Sequence, residues 1–195
     1  LFIFAAEILG ELNCYFITFP YWDTMLHTTT GFLCAATGFA LIDILNRNSR
    51  IKFTLSPVYV ALVAFCFSMT VGVLWEFFEF GADRLLHWDM QKDTVVHSIT
   101  SVMLDPTNKN IPVTVSGIDS VIVNGQELGL GGYLDIGLYD TMEDLFVNFI
   151  GAVVFSVIGY FYIKRRGKGR IARAFIPTIT DAPEEADAPP ADETE

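Results

Sequence analysis

Cysteine, basic side chains and proline-broken apolar runs are all scarce in this 195-residue chain. The three cysteines, Cys14, Cys34 and Cys66, are odd in number and show no C-x-x-C spacing. That excludes a disulfide framework and a thiolate zinc site. Each falls inside an apolar stretch and reads as a small core residue. Only 12 lysines and arginines stand against 23 acids. No nucleic-acid surface is expected, and no phosphate-binding glycine loop or nucleophile elbow is found. Solenoid-type and inverted repeats are also missing. The chain opens with Leu1 inside an apolar stretch, which reads as a fragment or processed form of a longer protein lacking one or more earlier helices. No basic n-region precedes that stretch, which argues against a signal peptide.

What is present is apolar. Hydrophobic residues make up 52% of the chain and aromatics 14%, more than an ordinary soluble domain carries. The net charge of −11 is concentrated at one end. The last fifteen residues, "DAPEEADAPPADETE", hold seven acids and no base, so about −4 is left for the rest. Residues 167–195 therefore read as a cytoplasmic, basic-then-acidic disordered tail.

Four stretches approach the about 20 apolar residues that a bilayer core requires. They cover about 1–19, 23–45, 57–80 and 140–163. Pro20 closes the first, and Pro57 suits the first turn of the third. Nine of the twelve bases lie between spans two and three or after span four: Arg47, Arg50, Lys52, Lys164, Arg165, Arg166, Lys168, Arg170 and Arg173. Those ends are expected to be cytoplasmic, with the C-terminus inside and the loop 81–139 outside. Tyr21, Trp22, Trp75 and Trp88 then form an outer aromatic belt. In the loop, Lys92–Asp105 shows a helical pattern. "VTVSGIDSVIVNGQEL" predicts a β-hairpin, with turn signals at Ser116-Gly117 and Asn124-Gly125. The fold class is an all-α polytopic transmembrane bundle with a small extracytoplasmic loop subdomain. The expected location is the bacterial inner membrane, with the lipid bilayer as the main partner.

Within the spans, polar residues recur at helical spacing. Asp23, His27, Gly31, Ala35 and Gly38 share one face. So do Ser68, Gly72, Glu76, Glu79 and Asp83, and Asp140, Asp144, Asn148 and Gly151. Small residues on these stripes let helices approach closely. Span direction puts His27, Glu76, Glu79, Asp140 and Asp144 at one depth near the outer boundary. Glu11 lies about eight residues below the outer end of span one, roughly 12 Å along the axis, and Glu7 lies deeper. Clustered carboxylates need a cation or shared protons. The candidate ligands for a divalent metal are His27, Glu76, Glu79, Asp140 and Asp144. Asp23, Asn148, Asp83, Arg84 and Glu11 support them. Carboxylates with one imidazole suit Mg²⁺ or Mn²⁺, and also Zn²⁺. Plainer roles stand beside these: helix capping for Asp23 and Asp140, interfacial solvation for Glu79 and Asp83, and interhelical hydrogen bonding for the others. Arg84 either pairs with an acid or meets an anionic substrate group. His87, Asp89, Asp93 and His97 are spaced so that some can cap the site.

Three segments, "WDTMLH", "GVLWEFFE" and "YDTMEDLFVNFIG", resemble the YjdF-like family of uncharacterised bacterial integral membrane proteins, over about Trp22 to Arg166. More distantly they resemble the VanZ-like membrane proteins, one of which is associated with glycopeptide-antibiotic resistance. The D-x-x-x-H pattern of that family matches Asp23 and His27, its G-x-x-x-E matches Gly72 and Glu76, and its D-x-x-x-N-x-x-G matches Asp144, Asn148 and Gly151. Thr24 stands where a lysine is common there, and no arginine precedes Asp144 in span four. The resemblance implies a membrane fold and supplies no activity. The residues leave three functions open: a cation site acting on or binding a lipid-linked or envelope substrate, a proton- or cation-coupled transporter, and a non-catalytic assembly protein.

Overall fold

The computed structural model describes residues 4–47 and 55–165, with the side chains of Glu7, Glu11, Asn46 and Arg47 left out. The expected acidic tail and the bases Arg50, Lys52, Arg166, Lys168, Arg170 and Arg173 lie outside the described residues. Three long helices dominate: α2 (Trp22–Arg47), α3 (Pro57–Leu86) and α4 (Leu138–Lys164). All three are long and apolar enough to cross a membrane. Before them come a π-helical segment, Phe4–Leu12, and a single-turn helix, α1 (Tyr15–Thr18). The stretch expected as span one is thus two pieces rather than one helix of spanning length. Cys14, between them, has a φ of 55°, a left-handed conformation that breaks the helix.

Local chemistry sets the helix ends. The Ser56 hydroxyl accepts a hydrogen bond from Tyr59 N at 3.2 Å, and Pro57 occupies the first turn of α3. α3 continues past the expected end at Phe80 to Leu86. Its 30 residues span about 45 Å, against about 30 Å of hydrocarbon, so one end projects beyond an apolar slab. α4 starts after Gly137, whose φ of 81° suits a residue without a β-carbon.

The helices pack through their small residues. A β-carbon on Gly31 would strike the backbone carbonyl of Asn148, and one on Gly151 the carbonyl of Thr28. Backbone-to-backbone approach of α2 and α4 therefore needs glycine at both positions. The Ser68 hydroxyl donates to Gly31 O at 2.8 Å and ties α3 to α2. Below this level, Phe39 is fully buried, with Phe155 edge-on at 5.9 Å and Tyr162 at 6.3 Å. Leu74, Phe77, Phe78, Phe146 and Val157 face outward, as the lipid-facing side of a span does. Cys14 and Cys66 are also exposed and Cys34 is half-buried. This corrects their reading as core residues, since an apolar span has an outer face as well as an inner one.

The loop between α3 and α4 holds three two-stranded antiparallel sheets. β1 (Val95–Val96) pairs with β6 (Tyr133–Leu134), and β2 (Ser98–Ser101) pairs with β3 (Val113–Ser116). β4 (Ile122–Val123) and β5 (Gln126–Glu127) pair around Asn124-Gly125, where both φ angles are positive, at 52° and 81°. Ser116-Gly117 ends β3 and reverses no hairpin. The helical pattern expected over Lys92–Asp105 is instead β1, β2 and a 3-10 turn at Val102–Leu104. The physical reason is the β-branched run Thr94, Val95, Val96, Ile99, Thr100, Val102, which strand partners on both sides convert into ladders.

Candidate functional site

α2 begins, α3 ends and α4 begins at the same end of the bundle, the end that carries the loop. Their polar stripes meet there. His27, one turn into α2, is the hub. Its Nε2 lies 3.6 Å from Asp23 Oδ1 and 3.5 Å from Asp144 Oδ2, and its Nδ1 lies 4.0 Å from Glu76 Oε1. One ligand atom each from Asp23, His27 and Asp144 lie within 4.8 Å of one another, as do those of Glu76, Glu79 and Asp144. Asp144 therefore joins two overlapping triads.

The inner acids are well covered. Glu76 is 5% exposed, Glu79 7% and Asp144 3%. Trp75 Nε1 donates to Glu79 Oε1 at 2.8 Å. The second oxygens, Glu76 Oε2 and Glu79 Oε2, are buried without a hydrogen-bond partner among the described residues. Burying a polar atom that way is costly unless something else satisfies it. Asn148, a turn below Asp144, donates from Nδ2 to Met69 Sδ at 3.5 Å. Gly72 makes room for it: a β-carbon there would stand 2.7 Å from Asn148 Nδ2.

One turn nearer the loop, two more of the expected acids do something different. Asp83 is partly buried and its two oxygens accept from Met90 N at 2.7 Å and Gln91 N at 2.9 Å. Asp140 Oδ2 accepts from Lys92 N at 2.8 Å. Gln91 Nε2 donates to Thr141 Oγ1 at 2.5 Å. Residues Met90–Lys92 thus form a strap from the end of α3 to the start of α4. Asp83 and Asp140 hold that strap, and neither belongs to the two triads. Asp135 continues the anchoring: its carboxylate accepts from Thr94 N at 2.6 Å and Tyr139 N at 2.7 Å. Asp93 sits among these acids. Partial desolvation first, then the charges of Asp89, Asp135 and Asp83, push its carboxyl above the usual range.

The other expected groups are spread out. The Arg84 guanidinium lies over the Phe80 ring, 5.5 Å from its centroid, rather than on an acid of the cluster. Asp89 pairs with Lys92 at 3.7 Å. His87 ends α3 in a left-handed conformation. His97 Nδ1 bonds Ile118 O at 2.9 Å, inside the sheet region. Glu11 is in the π-helical segment, with its side chain outside the described residues. Three contributors escaped the sequence reading. Trp75 is expected from sequence only at the membrane boundary, though its i,i+4 spacing to Glu79 is a legible signal. Gln91 and Thr141 are 50 residues apart and carry no such signal.

A family model described as "Predicted membrane protein (DUF2238)" matches residues 1–165. No curated protein matches the chain. No solved structure matches it either.

Proposed function

We propose a function on one premise: the chain belongs to the DUF2238 family of predicted membrane proteins and is a multi-pass membrane protein. The reading is that the carboxylate–histidine cluster binds a divalent cation, through which the protein binds or acts on a lipid-linked or envelope substrate. The observation that carries it is the pair of orphaned oxygens, Glu76 Oε2 and Glu79 Oε2, buried in one triad with Asp144. The imidazole separations support it. At 3.5, 3.6 and 4.0 Å they exceed direct hydrogen bonds, which run about 2.7–3.2 Å. Ligands sharing one cation at about 2.1 Å stand about 3.0 Å apart when adjacent and about 4.2 Å when opposite. The two Nε2 spacings, to Asp144 and Asp23, fall between those limits, while Glu76 Oε1 faces the other ring nitrogen, Nδ1, and would orient the imidazole rather than share the ion. His27, Glu76, Glu79 and Asp144 would hold the ion, with Asp23 at its margin. A bound divalent metal supplies Lewis-acid polarisation or an activated water. The chain's own residues orient the ion and exclude bulk water.

The same reading places the cluster on the extracytoplasmic side of a bacterial inner membrane. Arg47, Lys164 and Arg165 end helices at the opposite face of the bundle, which supports a cytoplasmic C-terminus under the positive-inside rule. Residues 1–19, of which Phe4–Leu12 and Tyr15–Thr18 are wound as two separate pieces, are read as a fourth membrane-embedded segment. The likeness to YjdF-like and VanZ-like proteins extends to this site, since Asp23, His27, Glu76, Asp144 and Asn148 are motif positions and converge here.

Elemental analysis of protein purified without added chelator tests the reading. A stoichiometric divalent metal is expected in the wild type, and its loss in Glu76→Gln with unchanged helical content. Metal absent from the wild type, or retained in Glu76→Gln, sinks it. In that event the readings left are shared protons, as in a coupled transporter, and interhelical hydrogen bonding.

A further inference from the structure

The cluster has two sides of unequal cover. Toward α3 and α4 it is roofed by the strap. Three backbone amides of Met90, Gln91 and Lys92 are committed to Asp83 and Asp140, and the Gln91 side chain is locked onto Thr141. Gly137 admits the strap: a β-carbon there would stand 2.7 Å from Gln91 Cβ. Toward α2 the cover given by the described residues is thinner. Side-chain exposure falls from 33% at Asp23 to 14% at His27, then to 6% at Glu76 and 4% at Asp144. His27 stands between the outer acid and the inner ones, with Nε2 nearly equidistant from Asp23 and Asp144. At the end of the gradient lie the two unpartnered, buried carboxylate oxygens, which mark the destination.

We propose that the Asp23–His27 edge is the aqueous entrance to the cluster, that Asp23 selects for cations at its mouth, and that the Met90–Lys92 strap seals the opposite side. The ligand class, a divalent cation, rests on the reading given above. The entrance itself rests on the gradient and the strap. A partly exposed carboxylate beside buried acids concentrates cations and repels anions, because the low-dielectric protein around it screens its field less than water does. The strap is a poor route, since opening it breaks four hydrogen bonds together. Asp23 is thus an access residue, separate from the groups that hold the ion.

The test needs no metal. Glu79→Cys is placed in full-length protein in which Cys14, Cys34 and Cys66 are replaced by alanine, with chelator present. Its rates of modification are measured with a cationic and an anionic methanethiosulfonate. The cationic reagent is expected to react several-fold faster. Asp23→Lys is expected to reverse that preference, while Asp89→Lys, just before the strap, leaves it within about twofold, being screened and outside the path. Gln91→Ala is expected to raise both rates several-fold by opening the sealed side. Glu76→Cys serves as the probe if Glu79→Cys fails to fold. The proposal is overturned if Asp23→Lys leaves the preference unchanged, if Asp89→Lys shifts it as far, if Gln91→Ala slows or does not change both rates, or if the folded protein is unreactive at a cysteine that reacts in denaturant. Charge-selective labelling in a protein that carries no metal keeps the entrance and removes the cation site. Bound metal without charge selectivity does the reverse.

Discussion

Alanine at three helical glycines should give three different answers, and the order follows from what each new methyl meets. At Gly151 it meets backbone. Besides the Thr28 carbonyl, a β-carbon would stand 2.9 Å from Phe32 N, where real contacts are rarely closer than 3.4 Å. Neither group can rotate away, so α2 and α4 must part by more than the about 0.5 Å that relieves the Phe32 contact, because the Thr28 carbonyl is closer still. Overpacking of this kind costs about 1–3 kcal/mol, offset by about 1 kcal/mol of helix propensity gained on replacing glycine. The His27–Asp144 separation of 3.5 Å bridges the same two helices and should widen with them. At Gly72 the nearest atom is the Asn148 amide at 2.7 Å, the end of a side chain, which gives more cheaply. At Gly81 nothing lies within 4 Å, so alanine should stabilise by up to about 1 kcal/mol. Reversible unfolding in mixed detergent–SDS micelles, followed by near-UV dichroism, ranks the three. The expected order of stability is Gly81→Ala, then Gly72→Ala, then Gly151→Ala. A Gly151→Ala protein as stable as Gly81→Ala would refute the close backbone contact of α2 and α4.

Three further outcomes follow from single features. Trp75→Phe removes the one hydrogen-bond donor found on Glu79 among the described residues and should cost about 1–3 kcal/mol in the same unfolding assay. A double-mutant cycle with Glu79→Gln that shows no coupling would contradict it. In the loop, hydrogen bonds from the Thr107 hydroxyl and amide, and then from the Ile111 and Lys109 amides, hold the Asp105 carboxyl down at about 2. A depressed folded value means the turn is stabilised above the usual carboxylate range and loses that support as pH falls through about 2. Amide protection at Lys109 and Ile111 should therefore persist at about pH 3, where an ordinary aspartate is mostly protonated, and vanish in Asp105→Asn. Gly125→Ala forces a β-carbon into a φ of 81° and should open the Ile122–Glu127 ladder at a cost of about 1–2 kcal/mol. Exchange at those amides should quicken while the helical transition stays put.

Much of the site was legible because an α-helix converts sequence spacing into a face. His27, Glu76 and Asp144 each sit on a stripe shared with small residues, and three stripes that pack must bring their polar ends together. Asp83 and Asp140 sit on the same stripes, yet one turn further out. There the loop backbone offers amides that satisfy them first. Spacing alone cannot separate a carboxylate that meets another carboxylate from one that meets a peptide N–H. The loop was read less well. Val95, Ile99 and Val102 fit a helical period, but in a chain rich in β-branched residues the period competes with pairing to strands 12 or more residues away, such as β3 and β6.

The sequence by itself pointed to four apolar stretches, three of which are helices long enough to span, and to the concentration of acids at one end. These follow from composition, from helical periodicity and from the membrane's demand that backbone groups be paired within each span. Only the tertiary structure decided which acids lose their partners and which gain them. The burial of Glu76 and Glu79 needs α2 and α4 to close over α3 at Gly31 and Gly151, a contact between residues more than a hundred positions apart. The roof over one side of the cluster depends on Gln91 finding Thr141. Such contacts are set by packing and by competition for hydrogen bonds, and neither quantity is written in the local order of residues.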